Sequence, residues 1–127
     1  MAGNLSDYLE DALLDHFLGT TAYTAPSAVY VALYSAAPSD SGGGTEVSGG
    51  SYARQAATFD AAASGATQNS GNIDFTGMPA VTVVAVGIHD ASTGGNLLVH
   101  GTLSANKSLD AGDTLRIATG DLDISID

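Results

Sequence analysis

The chain has 127 residues, with 14 acids against 3 bases, 44% apolar residues and no cysteine. A chain of this size buries roughly two thirds of its unfolded surface in one core, so a single domain over residues 1–127 is expected. Arg54, Lys107 and Arg116 are too few and too dispersed to neutralise nucleic-acid phosphates or hold an anionic membrane, and the missing thiols exclude disulfides and thiolate metal sites.

Residues 5–18 predict an amphipathic helix. Leu5, Tyr8, Leu9, Ala12, Leu13 and Phe17 recur at three- and four-residue spacing and make one apolar stripe. Asn4 is the expected cap; Asp7, Glu10 and Asp11 lie on the favourable side of the macrodipole, and Gly19 supplies a left-handed stop. After Pro26 the period changes to two. Val29, Val31 and Leu33 alternate with Ala28, Tyr30, Ala32 and Tyr34; with both sets apolar, the strand should be covered on both faces, by the helix on one.

Residues 38–51 carry five glycines and no periodicity, which predicts a loop that either binds something or is mobile. Tyr52 to Phe59 reads as the returning strand, and 61–70 as an Ala/Ser/Gly-rich link. A short strand follows near Ile73–Phe75. Residues 81–88 are the most β-prone stretch, and a turn at 92–96 joins them to 97–103 as a hairpin. Residues 107–109 and 114–118 flank a turn. In the last strand Leu122, Ile124 and Ile126 alternate with Asp121, Asp123, Ser125 and Asp127, giving a buried face and an acidic one. One helix and seven to eight short strands predict an antiparallel β-sandwich or flattened barrel.

No run approaches the roughly 18 apolar residues of a membrane span. Met1–Asn4 has no cationic n-region, so a cleaved secretory signal is not expected, and the absence of cysteine fits synthesis in a reducing cytoplasm. The core is rich in alanine and poor in aromatics, so it releases little burial free energy per residue; a homo-oligomer or docking on a larger assembly is expected.

Catalytic and metal patterns are weak. His89 and His100 could approach across the hairpin, but His89 and Asp90 are adjacent and point to opposite strand faces, so zinc is not expected. The Gly42–Gly44 run lacks the ending of a phosphate loop, and no nucleophile elbow is present. Asp121 with Asp123 and Asp110 with Asp113 read as solvated acids rather than calcium ligands. No catalytic residue, metal or cofactor is therefore expected. Arg54 stands out as a cation at a strand start after an acidic loop. It should fork onto Asp40, Glu46 or a carboxylate of a neighbouring strand and organise that loop. With Tyr52, and with Leu9, Leu13 and Phe17 of the helix stripe, these residues are the structural and interaction candidates.

Taken together, residues 5–16 (LSDYLEDALLDH), 23–26 (YTAP), 29–34 (VYVALY), 44–49 (GTEVSG) and 52–55 (YARQ) resemble the small structural proteins of tailed bacteriophages usually labelled tail-fibre proteins. So do 87–90 (GIHD), 94–98 (GGNLL), His100–Gly101, 112–115 (GDTL) and 120–123 (GDLD), in the same order along nearly the whole chain. The resemblance implies a non-enzymatic virion component that contacts other tail or capsid proteins. The chain has neither heptads nor repeats, so it is not a long fibre by itself. Capsid decoration is the alternative placement. A carbohydrate-binding module for host glycans, using Tyr23, Tyr30, Tyr34 or Tyr52, is the competing class.

Overall fold

In the computed structural model, which describes residues 4–126, Ser6 rather than Asn4 starts the helix. Met1–Gly3, within the stretch read for a leader, and Asp127, assigned to the acidic face of the last strand, lie outside the described residues. Ser6 has extended backbone dihedrals, and its Oγ accepts from Leu9 N–H while donating to Leu97 O. Asn4 and Leu5 instead form a two-residue strand, β1, opposite His100 and Val99. Helix α1 therefore runs Asp7–Phe17, shorter at both ends than the periodicity suggested. Leu18 caps it and Gly19 follows at φ +86°, the expected left-handed position.

The stripe is only half seated. Leu9 is buried and Leu13 packs partly on the core, but Phe17 is 67% exposed. The helix lies against the strand that begins at Leu97, and Leu9 joins the core cluster that also holds Val31 and Leu33. Periodicity identifies a face; it does not say how far the surface beneath that face extends.

The remaining elements are β2 (Val29–Ala36), β3 (Thr45–Glu46), β4 (Gln55–Ala57), β5 (Ala66–Gln68), β6 (Ile73–Phe75), β7 (Val81–His89), β8 (Leu97–Leu109), β9 (Leu115–Ile117) and β10 (Asp123–Ser125). The described residues thus hold ten strands, more than expected, because several have only two or three residues. All pairings are antiparallel. The main sheet has the order β1-β8-β7-β2-β3, with β4 also on β2; β5 pairs with β10, and β6 with β9. The arrangement is sandwich-like, and no barrel closes among the described residues.

Three boundaries depart from the sequence reading. The supposed link 61–70 contains β5, the strand at 52–59 shrinks to β4, and residues 107–109 belong to β8. The last departure has a visible cause. Val83 lies opposite Lys107 and Ala85 opposite Thr102, so Val84 alone faces residues 103–106 and the strand continues through a bulge.

The alternation in β2 sorts its side chains as expected. Val31 and Leu33 enter the principal core with Phe75, Met78, Val83, Val86 and Leu122, whereas Ala32 and Tyr34 pack with Ala85 in a smaller cluster. All four β2 residues are buried. The last strand follows its alternation less completely: Leu122 is buried and Ile124 half-buried, but Ile126 is 57% exposed.

Candidate functional site

Tyr52 and Arg54, two residues apart, both reach Glu46. The Arg54 guanidinium forks onto that carboxylate: Nε donates to Oε2 at 3.0 Å and Nη2 to Oε1 at 2.9 Å. Nη1 donates to the carbonyls of Ala91 (3.0 Å) and Gly94 (2.8 Å). Tyr52 OH donates to Glu46 Oε2 at 2.7 Å and accepts from Leu33 N–H at 3.0 Å, while its ring stacks on Phe75. One cation thus joins β3, the β7–β8 turn and the segment entering β4.

Local sequence explains each support. Glu46 lies opposite Tyr34 because β3 pairs with the end of β2. The turn is shaped by Asp90, whose carboxylate accepts from Asn96 N–H (2.7 Å) and from its side-chain amide (3.0 Å). Gly95 sits at φ +72°, where a Cβ would lie 2.5 Å from Asp90 Oδ1, so the turn requires glycine.

The Arg54 side chain is only 9% exposed and that of Glu46 28%. Burial pushes the Glu46 carboxyl upward, but hydrogen bonds from Arg54 and Tyr52, with the Arg54 charge, outweigh it and hold it below the usual range. Burial, which outweighs the bond to Leu33 N–H, together with the bond to Glu46 raises the Tyr52 phenol far above its ordinary value. His89 is depressed, first by burial and then by the Arg54 charge, so it is neutral at pH 7.

Asp40 joins a different contact. Its Oδ1 lies 2.8 Å from His100 Nε2, and its carbonyl accepts from Asp7 N–H, which ties the glycine-rich loop to the start of α1. Together with β3, this holds a segment that the sequence left as a loop without pattern. His89 Nε2 lies 2.7 Å from Tyr34 OH, and the two rings stack. His89 and His100 therefore have separate partners. His89 Nδ1 is buried without a protein partner. Tyr34, Asp40, Ser41–Gly43, His89 and Gly95–Leu97 line a cleft of about 350 Å³.

Among the described residues, the carboxylate group with ligand-like spacing is Asp7, Glu10 and Asp40, not the aspartate pairs singled out in the sequence. All three are exposed, Asp40 is already bonded to His100, and the group sits at a helix N-terminus, whose partial positive charge opposes a cation. Of the sequence candidates, the structure brings together Arg54, Glu46 and Tyr52. Asp40 belongs to the His100 contact, and Leu9, Leu13 and Phe17 to the helix.

Sequence reasoning missed Asn69. It is fully buried, its Nδ2 donates to Gly71 O and Ala118 O, and its Oδ1 accepts from Gly120 and Leu122 N–H. It organises the half of the molecule built from β5 and β10. An asparagine between a glutamine and a serine, two residues before a glycine, reads as an ordinary turn residue, so no local signal distinguished it.

The geometry describes a hydrogen-bonded scaffold with its loops fastened down. No curated protein matches the chain. The family described as Podophage GP4 fiber I protein gp80 matches residues 4–125, almost the full length and the same span that carries the resemblance to tail-fibre proteins. The chain belongs to this phage fibre family and is a structural component of the virion.

Proposed function

We propose that the chain is a non-enzymatic, tail-fibre-type subunit: one small domain that occurs in several copies and seats on a larger virion assembly. The match over residues 4–125 carries this reading. The fastening of the segment before β3 and of the β7–β8 turn supports it. Arg54 holds one side, His100 with Asp40 the other, and a surface fixed in this way suits repeated docking better than a moving lid. The host cytoplasm is the site of synthesis in this reading. Homo-oligomerisation around a common scaffold is favoured over free self-assembly, because copies with a net charge of −11 repel one another.

Capsid decoration is the second placement, and the compact body without a shaft favours it. Glycan binding ranks lower. Tyr34 is buried, and the Tyr52 hydroxyl is committed to Glu46 and to Leu33 N–H. Immunogold electron microscopy of purified particles, with an antibody to this chain, tests the reading. Label at the tail is expected; label spread over the capsid would replace it with decoration, and unlabelled particles would reject both. A glycan array showing saturable binding would promote the lectin reading.

A further inference from the structure

Helix α1 buries one residue, Leu9. Of the five large apolar side chains most exposed among the described residues, four lie on or just after it: Tyr8 (42%), Leu14 (48%), Phe17 (67%) and Leu18 (69%). Leu14, Phe17 and Leu18 have the i, i+3, i+4 spacing that places side chains side by side. Leu18 is nine residues beyond Leu9, about half a turn away from the buried side at roughly 100° per residue. Glu10 and Asp11 lie one turn before Leu14 and are also exposed. The outer surface of the helix is therefore apolar at its C-terminal end and acidic toward its N-terminal end.

The apolar end is held in place. Thr20 Oγ1 donates to Asp15 Oδ1 at 3.0 Å, and the N–H groups of Thr20 and Thr21 donate to Asp15 O. Tyr23 N–H donates to His16 Nδ1 at 3.1 Å. These bonds fold the following chain back on the helix end, so a partner would order little of it on binding.

Charge identifies the partner. The helix carries four carboxylates and neither lysine nor arginine. A second copy has three such cations to offer, and two are already engaged: Arg54 by Glu46, and Arg116 by Asp74. A two-fold pair of helices could bring the apolar ends together, but it would leave the acidic end of each without a cation from α1 of the other. The complementary surface must therefore come from another protein, with an apolar groove and lysine or arginine beside it.

Building on the fibre reading, we propose that Leu14, Phe17 and Leu18, with Glu10 and Asp11, dock the chain onto a different virion protein through a basic-edged apolar groove. The groove's cations would lie about one helical turn, near 5 Å, from the pocket that takes Leu14.

The test uses particles of the phage that encodes the chain, with Phe17 replaced by the photo-crosslinking residue p-benzoyl-phenylalanine. Mass spectrometry of the irradiated particles should find one virion protein other than this chain joined at a lysine- or arginine-containing peptide. Crosslinks only to copies of this chain, or none although the chain is present in particles, would overturn the proposal and leave the fibre reading intact. Particles without the chain would instead remove the fibre reading on which it rests.

A second arm uses Phe17→Ser with Leu18→Ser, and separately Glu10→Lys with Asp11→Lys, each first checked for unchanged circular dichroism. Both variants should reduce copies per particle about tenfold or more, as loss of central anchors does. Wild-type occupancy should also fall as NaCl is raised during assembly. Full occupancy by either variant would refute the proposal.

Discussion

Two arginines in this chain fork onto carboxylates, and their surroundings differ in almost every other respect. Arg54 meets Glu46 with a side-chain exposure of 9%, and it also donates to two turn carbonyls. Arg116 meets Asp74 across the β6–β9 ladder at 2.6 Å, but its side chain is 58% exposed and, among the described residues, the pair's side chains make no other hydrogen bond. The shorter pair is the less consequential one. In water, a short contact exchanges one set of good hydrogen bonds for another; at Arg54 the alternative is a half-buried carboxylate left with Tyr52 as its donor and a part-buried Ala91 carbonyl that loses its arginine donor.

The most disruptive way to break this comparison is Arg54→Ala. Removing one partner of a largely buried ion pair costs about 3–5 kcal/mol. Thermal unfolding should shift down accordingly, with faster proteolysis within residues 38–51 and 90–96. Arg54→Lys keeps the charge but lacks the fork and should recover only part of that loss.

Next in size is Gly95→Ala. It leaves the ion pair's atoms untouched but forces the turn that supplies Gly94 O, because the residue sits at φ +72° with Asp90 against it. A loss of about 1–3 kcal/mol is expected from a non-glycine residue held there. Hydrogen exchange in residues 90–96 should accelerate, whereas the β6–β9 ladder should keep its protection.

A smaller effect appears with pH. The Glu46 carboxyl is depressed in the folded chain, so its contribution is fully present above its unfolded value, near 4.5, and is lost as pH falls through the lower folded value. His89 is depressed as well, so the folded chain disfavours its protonation. That contribution is complete above about 6.5 and declines as pH falls toward the folded value. Melting temperature should therefore decline in two stages on acidification. Glu46→Gln should remove its share of the lower stage and leave the upper one; loss of the upper stage instead would misassign it to His89.

Least of all is expected from Arg116→Ala, which should leave the melting temperature unchanged within error in ordinary buffer. A loss comparable to that of Arg54→Ala would mean that exposure does not separate the two pairs.

Much of this was legible in the chain. The helix, the period-two run of β2, the β7–β8 hairpin and the fork of Arg54 all follow from local pattern or from the scarcity of cations. The remainder depended on contacts distant in sequence. Asn4 and Ser6 are both good caps; the choice falls to Ser6 because Asn4 and Leu5 pair with β8, far along the chain. β5 forms within a stretch without periodicity because β10 lies beside it. Phe17 belongs to a genuine stripe, but no described part of the chain covers it. A phage fibre assignment accommodates that observation, since a virion subunit works in contact with neighbours.

The account's central claim is that one buried arginine fastens the loops of this fibre-family protein while its exposed counterpart does not. A pair of double-mutant cycles measures this directly, one on Arg54 and Glu46 and one on Arg116 and Asp74, each followed by denaturant unfolding. The Arg54–Glu46 cycle should give a coupling of about 2 kcal/mol, within the range for contacting residues in one network, and the Arg116–Asp74 cycle none above error. Equal couplings, or a larger one at Arg116, would contradict the account.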